Sequence, residues 1–166
     1  MDGLTLPVRQ GPAPATRRTL PHTQVDQQPE DPTIRVELAR RAFALAGVDE
    51  AESDISVPGA RALVLAAARP APGDPAFLIG NEFAHFHPSP DFSLHLTLPE
   101  PSARRAIEAG WAQWHPFVDA GRLPPTLVMV FAPRNHEELE TVWQLLQASH
   151  RFAASAPAMS CSCGSA

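Results

Sequence analysis

Two short runs of alternating residues meet at Pro88-Ser89-Pro90-Asp91. Upstream lies Glu82-Phe83-Ala84-His85-Phe86-His87, and downstream Phe92-Ser93-Leu94-His95-Leu96-Thr97-Leu98. Successive side chains of a strand point to opposite faces, so residues two apart share a face. Leu94, Leu96 and Leu98 therefore take one side of the second run, and Ser93, His95 and Thr97 the other. Prolines at the break exclude a continuous central strand, so the two runs are expected to pair across it. His85 and His87 then project together toward His95. The leucine face belongs to a core and the histidine face to a pocket.

The surrounding sequence supplies the partners. Asp31-Pro32 marks a helix start, with Leu38, Ala39, Ala42, Leu45 and Ala46 as its apolar stripe and Gly47 as its stop. Segments 54–57 and 61–67 read as strands around Pro58-Gly59, 70–75 as a loop, and 77–80 as a further strand. Ser102 to Ala109 reads as a short helix ending at Gly110, and Thr126 to Phe131 as a central strand. Asn135-His136-Glu137-Glu138 has the spacing of a helix cap, and Leu139, Val142, Trp143 and Leu146 form the buried stripe that follows. The order α-β-β-β-β-β-α-β-α predicts a single α+β domain, a mostly antiparallel sheet with helices packed on one face. Residues 1–19 are expected to be an extended proline-rich arm, 20–153 the domain, and 154–166 a disordered Ser/Cys tail. Within the arm side of the domain, Leu20-Pro21-His22-Thr23-Gln24-Val25-Asp26-Gln27 is too particular for a linker.

Composition removes several functions. All 13 basic residues are arginine and there is no tyrosine, which excludes a Schiff-base lysine, a phosphate-loop lysine and a tyrosine acid. A net charge of −5 with scattered arginines argues against nucleic acid or an anionic membrane as partner. No basic-then-apolar block follows Met1, and the aliphatic run from Ala62 to Ala68 is short of the roughly 20 residues of a membrane span. A cytoplasmic protein is expected. Cys161 and Cys163 lie at the tail and do not make a disulfide framework.

Three of the seven histidines, His85, His87 and His95, fall within eleven residues, with Asp91 and Glu82 as the nearest carboxylates. Such a set suits general acid–base chemistry near neutrality. It equally suits a divalent metal, zinc or iron, on adjacent strands. A solvated polar face is the plain alternative. Trp111 and His115 either wall an aromatic ligand or, for the tryptophan, fill the core. Arg134 precedes a helix and suits a carboxylate or enolate, or else caps a carbonyl.

Phe83-Ala84-His85-Phe86-His87, Asp91 and Ser93-Leu94-His95-Leu96 together resemble the signature of the luciferase-domain family, to which the fungal luciferases that oxidise 3-hydroxyhispidin belong. Gly110-Trp111, His115-Pro116 and Phe131-Ala132-Pro133-Arg134-Asn135-His136-Glu137-Glu138 resemble the family's later motifs, and Pro21 to Gln27 is similar to bacterial members. The lysine-free, arginine- and alanine-rich composition is of the bacterial kind. The resemblance implies a small oxygenase acting on an electron-rich enol or hydroxypyrone with dioxygen, without an organic cofactor. It implies His85 or His87 as the base, Arg134 or His95 as charge stabiliser, and Asp91, Trp111 and His115 around the substrate. A metal-dependent variant uses His85, His87 and His95 as ligands.

Two other functions stay open. One is a non-enzymatic metal- or ligand-binding module. The other concerns Ser160, Cys161, Ser162 and Cys163, whose density is that of a peptide core, with the domain as leader and peptide-modifying enzymes as partners; a passive tail is the alternative.

Overall fold

The computed structural model describes residues 4–158; Ser160, Cys161, Ser162 and Cys163 lie outside them. Thr16–Arg17 (β1) and Thr23–Gln24 (β2) pair as a small antiparallel ribbon. Asp31 opens Pro32–Phe43 (α1): its carboxylate accepts from the Thr33 amide at 2.8 Å, and Pro32 sits where a missing N–H does no harm. Ile34, Leu38 and Ala42 recur at fours and are buried. The helix ends at Phe43, one turn before the expected stop, and Gly47 turns the chain at φ +73°.

Val48–Glu52 (β3) pairs with Arg61–Leu65 (β4). The strand expected over 54–57 is thus a loop, and the true strand lies earlier. β3 is an edge strand, mostly exposed and acidic, so it has no alternation to read. The strand expected over 77–80 is absent as well; a single bridge joins Ile79 to Glu82. Glu82–Phe86 (β5) and Leu94–Thr97 (β6) form the expected pair. They are followed by Glu100–Glu108 (α2), Ala112–Trp114 (β7), Pro116–Asp119 (α3), Leu127–Val130 (β8) and His136–Ala154 (α4). β7 and α3 are short segments that sequence periodicity misses. Asn135 caps α4, accepting from the Glu138 amide at 2.9 Å.

Six strands form one antiparallel sheet in the order β3-β4-β5-β6-β8-β7. The register sorts side chains into rows. Leu63, Ala84, Leu96 and Val128 align across four strands, and Phe86, Leu94, Val130 and Ala112 across the next row. Both rows belong to the core, which α1 and α4 complete with Leu38, Leu139, Val142, Leu145 and Leu146. Each such buried side chain is worth roughly 1.5–3 kcal/mol. The row between them faces the other way and reads Ala51, Ala62, His85, His95, Met129, Gln113. Expected and observed architecture agree: a single α+β domain built on an antiparallel sheet.

The N-terminal segment is largely irregular yet fastened along its length. The Arg9 amide donates to Ala109 O at 2.8 Å, and Trp111 Nε1–H donates to Pro7 O at 2.6 Å. Gln24 uses its amide N–H toward Asp91 at 3.2 Å and its side-chain oxygen to accept from Ala132 N–H at 2.8 Å. The Phe92 amide donates to Gln28 Oε1 at 2.9 Å. Among the described residues no helix is long and apolar enough to cross a membrane.

Candidate functional site

His85 and His95 face each other across the β5–β6 pair, and His87 follows two residues beyond His85 on the same face. All three are buried. His85 Nδ1–H donates to Glu82 Oε1 at 2.7 Å, and Ser53 Oγ–H donates to the same oxygen at 2.9 Å. His87 Nδ1–H donates to Asp91 Oδ2 at 2.7 Å. A carboxylate only accepts, so both rings carry their proton on Nδ1. In the neutral form of each ring Nε2 is then a lone pair, and both Nε2 atoms point at one atom: His95 Nδ1, 3.1 Å from His85 and 3.0 Å from His87.

His95 is held from its other side. Its Nε2 is 3.0 Å from Nδ1 of His22, a residue on the N-terminal segment. His22 Nε2 in turn meets the Gln113 side-chain amide at 2.6 Å. His22 thus reaches over Met129, which separates His95 from Gln113 in the sheet row. His115 stacks edge-on against both His22 and His95, with ring centroids 5.3 and 5.1 Å away. Its Nδ1 caps α3 by accepting from the Phe117 amide at 3.2 Å.

Five imidazoles at this spacing cannot all be charged. Burial drives His95 well below its ordinary value, with His87 and His85 adding to the effect. Burial, then neighbouring His115 and Arg18, lowers His22 to about 3; burial, then His85, lowers His115 to about 4. Burial lowers His85 too, against the opposing pull of Glu82. Burial alone would raise Asp91, but the hydrogen bonds it accepts from His87 and from Ser93 hold it below the usual carboxylate value. Four of the five rings, His22, His85, His95 and His115, are therefore driven toward the neutral form, with an ionised Asp91 at the edge of the cluster.

The five histidines floor a cavity of about 370 Å³ whose mouth is apolar, with Leu20, Ile55, Val57 and Leu78 at the rim. The loop over 54–57 that replaced the expected strand forms part of that rim. In two groups of three, His85–His87–His95 and His22–His95–His115, the ring nitrogens lie within 4.8 Å of one another, so these buried triads can hold a metal.

The structure brings His85, His87, His95, Asp91 and His115 together. It places two other candidates elsewhere. Arg134 donates to Glu138 and to Gln10 O and does not line the cavity. Trp111 packs in the core and anchors Pro7. Sequence reasoning missed His22 and Gln113 as members of the site. The signal for His22 was the dense polar segment from Leu20 to Gln27.

Fold and site together define a class: an α+β protein with an antiparallel sheet whose non-core face carries a buried, carboxylate-braced histidine cluster. Residues 80–149 match the family described as Luciferase domain. The chain is 31% identical over 170 residues to a luciferase of Armillaria gallica, covering 92% of this chain and 63% of that protein. The same figures hold for a luciferase of Armillaria ostoyae, and 38% identity over 80 residues relates the chain to one of Armillaria mellea, covering 47% of this chain and 30% of that protein. Over residues 80–149 the chain carries the luciferase-domain match, and it is a distant homologue of these fungal proteins that spans 63% of the length of the first two. No solved structure matches it.

Proposed function

We propose that the chain is a small oxygenase of luciferase type, acting on an electron-rich enol or hydroxypyrone with dioxygen. The observation that most supports this is the pair of histidine–carboxylate dyads, His85–Glu82 and His87–Asp91, aimed into one cavity. A carboxylate on Nδ1–H fixes the tautomer and stabilises the imidazolium formed when Nε2 takes a proton. An enolic hydroxyl entering over the apolar rim meets these lone pairs and gives up its proton to His87, beside ionised Asp91. Such a base contributes roughly 10²–10⁴-fold. The enolate is the reductant and dioxygen the oxidant, so no organic cofactor is required. His95 stabilises the negative charge in place of Arg134, which is committed to Glu138. His115 and the rim receive the flat ring.

Oxygen consumption with a panel of hydroxypyrones and related enols tests this. His87→Asn is the informative variant, because the asparagine amide keeps the hydrogen bond to Asp91 while Nε2 is lost. Uptake by the parent chain that disappears in a folded His87→Asn supports the proposal. No uptake with any member of the panel, or uptake unchanged in the variant, overturns it.

A further inference from the structure

Three nitrogens converge between His85, His87 and His95, and there is at most one proton for them. His85 and His87 each spend their ring proton on a carboxylate. His95 Nδ1 is left facing two bare lone pairs at 3.1 and 3.0 Å. One N–H cannot aim at both, so the buried focus has a surplus of lone pairs, a state that polar groups in an interior do not keep without a partner.

We propose that His85, His87 and His95 hold a divalent first-row transition-metal ion at this focus, with Glu82 and Asp91 orienting two of the ligands. The inference shares with the reaction above both the cavity and the Nε2 lone pair of His87, so an ion seated there takes the place of the enolic proton and the loaded chain does not use His87 as its base. Metal–imidazole bonds of about 2.0–2.1 Å put adjacent ligand nitrogens about 2.9 Å apart at right angles and about 3.4 Å apart at a tetrahedral angle. The two separations measured fall inside that interval. A carboxylate on the far nitrogen is the usual brace of a metal-bound histidine. An all-imidazole set suits zinc, iron, copper or nickel, and is the wrong chemistry for calcium or magnesium.

The other triad does not compete. His115 Nδ1 accepts from the Phe117 amide, so its proton is on Nε2, and holding an ion there requires that nitrogen to give up its proton first. His22 acts through His95 as a positioning residue. With Gln113 donating to His22 Nε2, His22 donates from Nδ1 to His95 Nε2, and His95 carries its proton on Nδ1. Loading the ion on His95 Nδ1 reverses the chain. His95 then donates from Nε2 to His22 Nδ1, His22 donates from Nε2, and Gln113 turns its amide to accept. Both arrangements satisfy His22, Gln113 and His95 Nε2 without a proton leaving the protein, and only the loaded one also gives His85 Nε2 and His87 Nε2 a partner each.

The test uses the full chain, stripped with chelator and dialysed against Zn²⁺, with metal per chain measured by mass spectrometry and histidine tautomers read by ¹⁵N NMR. The expected result is one zinc per chain, a raised melting temperature, and a proton shifted from Nδ1 to Nε2 in both His95 and His22. His85→Asn and His87→Asn keep their carboxylate bonds and should bind zinc more weakly by about 100-fold or more. A double Cys161→Ser/Cys163→Ser variant should bind as the parent does. Substoichiometric zinc in the parent overturns the site, as does binding kept by the asparagine variants or lost with the cysteines. None of these readouts depends on oxygen uptake, so failure of the reaction and failure of the site are told apart.

Discussion

The two faces of the β5–β6 pair solve different problems. On one, Ala84, Phe86, Leu94 and Leu96 are satisfied by contact alone, and any neighbour of fitting shape serves. On the other, His85, His87 and His95 are equally buried but need particular partners at particular atoms. Those partners come from far along the chain: Ser53 from the loop after β3, His22 from the N-terminal segment, Gln113 from β7. The apolar face holds the fold up; the histidine face needs the whole fold assembled before it exists.

The sharpest break between the faces is on one strand. Leu96→Asp puts an unpaired charge into the core, a cost comparable to the whole stability of a domain, and should abolish the cooperative melt. On the opposite face His87→Asn should stay within about 1 kcal/mol of the parent, because the bond to Asp91 survives. A variant at Leu96 that melts like the parent would show that the leucine rows do not carry the fold.

Acid comes next. In the folded chain His22 titrates at about 3 and His115 at about 4, both below the ordinary value of 6.5. As pH falls below 6.5 the unfolded chain takes up these protons first, so stability is present above 6.5 and is lost as pH falls toward about 4 for His115 and about 3 for His22. Between those limits each group costs about 1.4 kcal/mol per pH unit. Urea titrations of chelator-treated protein at pH 7.5, 6 and 5 should show a steepening loss, and equal midpoints at all three would contradict neutral burial of His22 and His115.

Smaller effects probe the fastening of the N-terminal segment. Gln24→Ala leaves the buried Ala132 N–H without its acceptor and should cost about 1–3 kcal/mol, with faster hydrogen exchange across residues 20–28. Arg134→Met removes the bond to Gln10 O and leaves buried Glu138 Oε1 without its guanidinium, and should cost about 1–3 kcal/mol while leaving ligand binding in the cavity unchanged. A loss of binding in that variant would return Arg134 to the site.

The hairpin was legible because its alternation is written into consecutive residues. Its faces could be assigned before any partner was known. β3 was not, since Asp49, Glu50 and Glu52 give an exposed strand no apolar period. His85 on β5, His87 just past its end and their partner on β6 were readable for the same local reason. His22 was not, because its contact with His95 spans 73 positions and no short-range pattern encodes it. Arg134 misled in the other direction: its residue type suited charge stabilisation, but Glu138, four positions on, was close enough to claim it.

The acidic strand at the margin of the sheet bears on how these molecules behave in company. β3 offers an open row of backbone donors and acceptors on its outer side, the surface on which another extended chain can seat itself. Asp49, Glu50 and Glu52 stand on it exposed, with Glu50 partly neutralised by Arg61. A second copy approaching edge to edge meets the same negative charges in reverse order and is repelled. The residues that hid this strand from sequence reading are therefore the ones that keep it from templating aggregation.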